Sequence, residues 1–272
     1  MTASVAELSV FAQQNPRLWV LTGAGVSTDS GIPAYRDRRG RWLRSDPIQH
    51  QDFIHNHSAR QRYWARGLLG WQYVQQAQPN AAHNALAKME KAGRITQLVT
   101  QNVDGLHQAA GNQAVIDLHG RLQRVICLQC NATSARAAMQ HRLVAANPQL
   151  GNSVSSIRPD GDAEVDALDL SQVTVPNCQT CDGILKPDVV FFGASVPKPR
   201  VRQALDSLTA ADALLVVGSS LQVFSGYRFC KAAQQLGKPI AIINQGVTRA
   251  DAIATLKIEQ NCGAALTELS TL

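Results

Sequence analysis

The sequence predicts an α/β fold, a doubly wound parallel sheet with a smaller metal-binding module inserted into it. Three observations carry this reading. Short apolar runs at 18–21, 96–99, 213–217 and 240–243 read as buried strands separated by amphipathic, helix-like stretches. Glycine, hydroxyl and amide residues follow those runs, as they do where the strands of an open parallel sheet deliver their carboxyl ends to a ligand crevice. Residues 121–185 break the alternation and hold two Cys-x-x-Cys pairs.

Taken in order, Ser4-Val5-Ala6-Glu7 has capping-box spacing, and Val5, Leu8, Phe11 and Ala12 recur at helical intervals as far as Asn15-Pro16. Leu18 to Leu21 is a short buried strand that runs into Thr22-Gly23-Ala24-Gly25, after which a helix N-terminus is expected. From Ile32-Pro33 to Pro47 the chain is polar and rich in breakers, which predicts a mobile loop. Residues 50–78 are aromatic and amphipathic, one or two helices. Asn80 caps a helix through Glu90 that stops at Gly93. The run 96–99 is the next strand, Ile116-Asp117-Leu118 is a short one before His119-Gly120, and Ala213–Val217 is another. Gly237-Lys238-Pro239 ends a helix just ahead of the strand at 240–243. Gly151 to Asp162, rich in Gly, Ser, Asn, Pro and Asp, reads as a surface loop.

At 272 residues and 45% hydrophobic content, the chain can bury a sizeable core. Its strongest apolar run, Ala213–Val217, is too short to cross a bilayer. The N-terminus shows neither a secretory signal nor an Arg-rich presequence, so a cytoplasmic protein is expected. The formal net charge of +6 favours anionic ligands, and five arginines fall within 36–44.

Cys127-Leu128-Gln129-Cys130 and Cys178-Gln179-Thr180-Cys181 each place two sulfurs on one tight turn. Together they offer the four thiolates that tetrahedral Zn²⁺ takes. The interval between the pairs exceeds that of a zinc ribbon, so further chain is inserted there. Four protein ligands leave no open position, which makes the expected ion structural, one per chain. Cys230 falls on a helix face expected to be buried, and Cys262 reads as a loop cysteine.

Gly23-Ala24-Gly25 begins a phosphate-binding turn. The dinucleotide fingerprint is broken, however, because Thr28 stands where a third glycine belongs. No acidic residue closes a second strand about 20 residues on, as a dehydrogenase requires. Gly218-Ser219-Ser220 after Val217 and Asn244-Gln245-Gly246 after Ile243 complete one crevice, with Asn244 suited to a ribose and Ser220 to a phosphate. Thr100-Gln101-Asn102-Val103-Asp104 brings amides that recognise an amide and a carboxylate that accepts from an N–H. His119 sits at a strand end with glycine behind it, and imidazole takes up protons near neutral pH. The other histidines default to structural roles.

Gly23-Ala24-Gly25-Val26-Ser27, Gly31-Ile32-Pro33, Thr100 to Asp104, His119-Gly120, both cysteine pairs, Gly218-Ser219-Ser220 and Asn244 occur in sirtuin order. From about residue 5 onward the chain resembles these NAD-dependent protein deacylases. The stretches Arg60–Arg66, Leu185–Gly193 and Gly218–Phe229 look like the class II branch, in a bacterial-type cytoplasmic form.

The resemblance implies a Rossmann-like NAD-binding domain and a small zinc domain with NAD⁺ between them. Its first part is 1–49, with a cofactor loop at 32–47; 50–79 is a helical insert of the small domain; 80–120 is the second part, 121–185 the zinc-binding small domain, and 186–272 the third part. It also implies an enzyme that turns acyl-lysine, NAD⁺ and water into lysine, nicotinamide and O-acyl-ADP-ribose, with NAD⁺ a consumed co-substrate and acylated-lysine proteins as partners. By similarity His119 is the general base, Asn102 and Asp104 bind the nicotinamide end, Gln101 contacts the adjoining ribose, and Arg36 belongs to the cofactor loop. Gly23, Ala24, Gly25, Ser27, Pro33, Tyr35, Gly218, Ser219, Ser220, Asn244, Gln245, Gly246 and Cys262 complete the implied cofactor contacts. Tyr35 replaces a common phenylalanine and Ala194 a common glutamate, departures that bear on the substrate. Other acyl groups, lipoyl included, and protein ADP-ribosyl transfer are the alternatives within this fold. A more distant one is a zinc-ribbon nucleic-acid binder, but the arginines cluster in the loop and not around the cysteines.

Overall fold

The computed structural model describes residues 3–43, 47–150, 156–157, 163–164 and 172–271. The Ser4 hydroxyl caps helix α1 (Val5–Gln14) by accepting from the Glu7 N–H, while the Glu7 carboxylate accepts from the Ser4 N–H, the reciprocal box its spacing predicts. Strand β1 (Leu18–Thr22), helices α2 (His50–His55), α3 (His57–Gln76) and α4 (Ala81–Lys91), strand β2 (Ile95–Thr100) and the short α5 (Leu106–Ala109) follow. Next come β3 (Val115–Asp117), β4 (Gly120–Cys127), β5 (Thr133–Ala135), α6 (Arg136–Ala146), β6 (Ser156–Ile157), β7 (Ala163–Glu164) and β8 (Leu185–Val189). The chain closes with α7 (Lys198–Thr209), β9 (Ala213–Val217), α8 (Phe224–Gln235), β10 (Ile240–Ile243), β11 (Leu256–Ile258) and α9 (Cys262–Leu269). Asn80 caps α4 as expected, its side chain accepting from the N–H groups of Ala82 and His83.

The larger sheet runs β11-β10-β9-β1-β2-β3, and every pairing in it is parallel. β1 and β9 are buried at all positions because helices cover both faces. Side chains alternate between those faces. Leu18, Val20, Leu98, Leu215 and Ile243 pack towards α1, α4 and α9, while Trp19, Leu21, Val99, Leu214 and Ile242 pack towards α7 and α8. The Trp19 indole finds its partner in the Ser207 hydroxyl at 2.8 Å. From β1 the chain travels outward through β2 and β3, then returns to build β9, β10 and β11 on the other side. The reversal falls between β1 and β9, and a crevice opens beyond their carboxyl ends for that reason.

The smaller sheet is antiparallel, with β4 between β5 and β8. Its core joins residues of α2 and α3 to those of β4, α6 and β8, with Phe53, Tyr63, Trp64 and Phe191 stacked edge to face or tilted. Arg136, 3% exposed, crosses this core between the rings of Trp64 and Trp71 and donates to the Gly67 carbonyl. The divisions expected at 120/121 and 185/186 fall inside or at the edge of paired strands of this sheet: β4 begins at Gly120 and β8 runs to Val189.

Two expectations need correction. After Gly25 no α-helix forms; two 3₁₀ turns, Ala24–Val26 and Thr28–Ser30, take its place. The Gly25 N–H is drawn to the Gly218 carbonyl at 2.8 Å, and Pro33 disfavours helix at Ile32. Within the breaker-rich stretch, Arg36 is bridged to Trp42 and the Asp37 carboxylate accepts from the Arg39 and Arg41 N–H groups. Cys262 is not in a loop but is the first residue of α9, buried. The loop expected at 151–162 lies almost wholly outside the described residues.

Candidate functional site

A cleft of about 360 Å³ lies at the carboxyl ends of β1, β2, β9 and β10. Of the residues singled out in the sequence, Gly23, Ala24, Gly25, Ser27, Tyr35, Arg36, Gln101, Asn102, Asp104 and His119 line it, as do Gly218, Ser219, Ser220, Asn244, Gln245 and Cys262. Pro33 and Gly246 do not; Gly246 backs against the main chain of Arg38, behind the wall.

One continuous network crosses the floor. The Asn102 amide donates to the Ser27 hydroxyl at 2.9 Å, and that hydroxyl donates to Asp104 at 2.8 Å. The second Asp104 oxygen accepts from the Leu106 N–H at 2.9 Å. Burial raises the Asp104 pKa above the usual carboxylate value, against these stabilising donors. The Gln101 amide donates to Ser219 at 2.8 Å and to the Thr22 carbonyl at 3.2 Å, so it ties β1, β2 and β9 together at the reversal point.

His119 follows β3 and is half-buried at the side of the cleft. Its Nδ1 meets the Gln101 carbonyl at 2.9 Å, and its Nε2 meets the Ser225 hydroxyl at 2.8 Å. Because a carbonyl only accepts, Nδ1 carries the proton and Nε2 presents its lone pair. Burial pushes the ring pKa down to about 4, and Arg200 and Arg228 act in the same direction, so the imidazole is neutral at physiological pH.

Above the floor, the arginine-rich turn docks on the end of β10: the Val247 N–H donates to the Arg38 carbonyl, and Arg38 reaches Gln245. The Arg36 guanidinium lies 3.9 Å from the centre of the Trp42 ring and donates to the Gly40 carbonyl. This holds a cation at the mouth, where the anionic part of a ligand would pass.

Sequence reasoning missed Thr28, Arg38, Trp42, Val190, Phe192 and Val223 in the lining, together with Gln260 and Asn261. The last two sit just past β11, where the strand-end rule would have found them had that strand been recognised. Ser225, bonded to His119 from the first turn of α8, carried no local signal.

The four paired cysteines converge elsewhere, in the smaller module. Their sulfurs all lie within 4.8 Å of one another, with Cys127 to Cys181 at 3.5 Å and Cys130 to Cys178 at 3.8 Å. Zinc–sulfur bonds of about 2.3 Å in a tetrahedron put sulfurs about 3.8 Å apart, so the tetrad fits a structural zinc ion. N–H groups also point at the sulfurs: Gln129 at Cys127 and Thr180 at Cys178, each 3.4 Å. Donors from Thr180 and Cys181 lower the Cys178 pKa to about 6, favouring the thiolate that a metal needs.

Comparison with known proteins agrees with this geometry. The Sir2 family profile matches residues 23–225. The chain is 53% identical to an NAD-dependent protein deacetylase of Bordetella bronchiseptica, over 95% of this chain and 94% of that one. It is 54% identical to an NAD-dependent protein deacetylase of Xanthomonas axonopodis pv. citri, over 95% and 88%. It is 46% identical to the NAD-dependent protein lipoamidase sirtuin-4, mitochondrial, of Bos taurus, over 96% and 84%. A solved Sir2 complex with a p53 peptide and NAD⁺ superposes with a TM-score of 0.75 at 29% identity, covering 99% of this chain and 96% of that one.

Proposed function

The chain belongs to the Sir2 family, and on that premise we propose how its own residues perform NAD⁺-dependent removal of acyl groups from protein lysines. The observation that carries the reading is His119: a neutral imidazole, held in one tautomer, at the wall of the cleft that the turn glycines and strand-end amides line. Bound there, NAD⁺ supplies an electrophilic ribose carbon and nicotinamide as the leaving group.

Asn102 and Asp104, linked through Ser27, hold the nicotinamide end, and Gln101 the adjoining ribose. Gly23 and Gly25 bring backbone close to the diphosphate, with Ser219 and Ser220 across from it. Asn244, Gln245 and Cys262 take the far end of the cofactor, and Arg36 with Tyr35 covers it from the turn above. The acyl-lysine oxygen attacks the ribose carbon, and His119 accepts the proton of a ribose hydroxyl at Nε2. Nicotinamide would leave as the ribose carbon is attacked, and water would then release lysine and O-acyl-ADP-ribose. Cys127, Cys130, Cys178 and Cys181 hold zinc that is closed to substrate and stabilises the smaller module. A four-thiolate site favours a reducing compartment, and the cytoplasm is the compartment proposed. No helix among the described residues is long and apolar enough to cross a membrane.

The test is a panel of acyl-lysine peptides, acetyl and lipoyl included, incubated with NAD⁺ and read by mass spectrometry. Deacylated peptide with equimolar nicotinamide is expected, and absorbance of reduced nicotinamide stays flat. Salt-sensitive DNA retention without any NAD⁺-dependent product would replace this reading with the nucleic-acid one.

A further inference from the structure

The geometry points to Ser225 as a positioning residue of the reaction, a hydroxyl that orients the His119 imidazole through Nε2 and holds it in the neutral form that accepts a ribose proton. This rests on His119 being the general base.

The two ring nitrogens of His119 are gripped from different parts of the fold. Nδ1 is bonded to the Gln101 carbonyl beyond β2, at 2.9 Å, and this fixes the proton there. Nε2 can then only accept, so the Ser225 hydroxyl at 2.8 Å is the donor. Ser225 is the second residue of α8, and that helix start is pressed against the same glutamine. A Cβ on Gly226 would sit 2.8 Å from Gln101 Cδ, so the absence of a side chain there lets the first turn of α8 close on the loop that holds Nδ1. The contact joining Ser225 to His119 is therefore part of the packing that sets the ring plane.

A donor to Nε2 stabilises neutral imidazole and disfavours imidazolium. The charged groups that act on the ring work in the same direction: Arg200 from α7, and Arg228, one turn along α8 from Ser225. From the β1 and β2 side, Thr22, Gln101 and Ser219 meet around the ring's anchor as uncharged groups. A general base works only when neutral, so the hydroxyl extends activity towards acid. When substrate binds, the ribose hydroxyl shares the Nε2 edge with Ser225, whose remaining hydrogen bond keeps the ring in register. Loss of the hydroxyl leaves Nε2 without a donor in the free enzyme and the ring held through Nδ1 alone.

The experiment measures kcat on an acetyl-lysine peptide, KM for NAD⁺ and the pH dependence of both for wild type, Ser225→Ala, Ser225→Thr and His119→Ala. Ser225→Ala is expected to lower kcat about 3- to 10-fold, the worth of one neutral hydrogen bond, with KM for NAD⁺ nearly unchanged. Its acid limb is expected to move to higher pH, and Ser225→Thr to return both rate and limb towards wild type. A Ser225→Ala enzyme with wild-type rate and acid limb would overturn the proposal. A faster one would also do so, since the hydroxyl would then be a competitor of the ribose. Near-normal turnover in His119→Ala would instead remove the general base itself, a failure distinct from that of Ser225.

Discussion

Replacing Gly218 with alanine tests whether close backbone approach builds the cleft. Gly218 has φ of +60°, in the left-handed region, which costs a non-glycine residue about 1–2 kcal/mol. Alanine recovers about 0.4–1 kcal/mol by restricting the unfolded chain, so the conformational part nets to about 0–1.6 kcal/mol. Sterics are the larger part. A Cβ at 218 would overlap the Val26 nitrogen and lie 2.7 Å from the Gly25 carbonyl carbon and 3.1 Å from its Cα. These are backbone atoms, and they are locked: the Gly25 N–H donates to Gly218 O and the Gly218 N–H to Ile243 O, each at 2.8 Å. Relief requires moving β1's turn away from β9, at the usual overpacking cost of about 1–3 kcal/mol.

Gly237→Ala is the matched control. Its φ is +67°, and nothing stands within 4 Å of the Cβ it would gain. Urea unfolding of zinc-loaded protein is expected to show Gly218→Ala about 1–3 kcal/mol less stable than Gly237→Ala, with the same dependence on urea. Since Gly25 and Val26 shift at the floor of the cleft, KM for NAD⁺ should rise in Gly218→Ala alone. Equal midpoints for the two variants would refute the close-approach argument, because only the overlap distinguishes them.

Cys178→Ser is expected to lower zinc content and melting temperature together, whereas Cys230→Ser, on the buried face of α8 with its thiol pushed up to about 12 by burial, keeps the metal. Metal analysis giving the reverse order would undo the ligand assignment. His119→Ala should keep fold, zinc and most NAD⁺ affinity while losing about 10²–10⁴-fold in deacylation; Asn102→Ala should also damage nicotinamide exchange, which isotope labelling reads. Acid should destabilise the protein through its buried histidines. Burial holds His83 at about 4, and burial together with His83, whose ring centre is 4.8 Å away, holds His107 well below the ordinary imidazole value. Below about pH 6.5 the unfolded chain therefore binds protons that the native state refuses; the stability is complete above that pH and falls towards pH 4, on the order of 3 kcal/mol for His83 alone. Asp104, raised by burial, opposes this and softens the slope. A urea midpoint that is flat from about pH 7 to pH 5 would contradict the argument.

Much of the fold was legible because it is written in local terms. The limits of β9 and β10 coincide with apolar runs bounded by glycine, proline and asparagine, and the caps at Ser4 and Asn80 follow from side chains that reach their own backbone. The zinc tetrad was legible for a similar reason, since each pair is made by one turn and the metal's preference for four thiolates joins the two. The amides and His119 could be placed at strand ends because a parallel sheet exposes its carboxyl ends at one rim.

What the chain by itself determined is thus the set of strands, the helix starts and the chemical types at the rim, all set by backbone sterics and periodic burial over a few residues. Only the tertiary structure decided that Gly25 is held in a 3₁₀ turn by Gly218, that β8 pairs with β4, and that Ser225 meets His119 across 106 positions of sequence. It also decided that the Asp104 pKa is raised and the His119 pKa lowered, which depends on how much water the packed neighbours exclude. Such contacts exist only after both faces of the larger sheet are covered, since that packing settles which strand ends share a cleft.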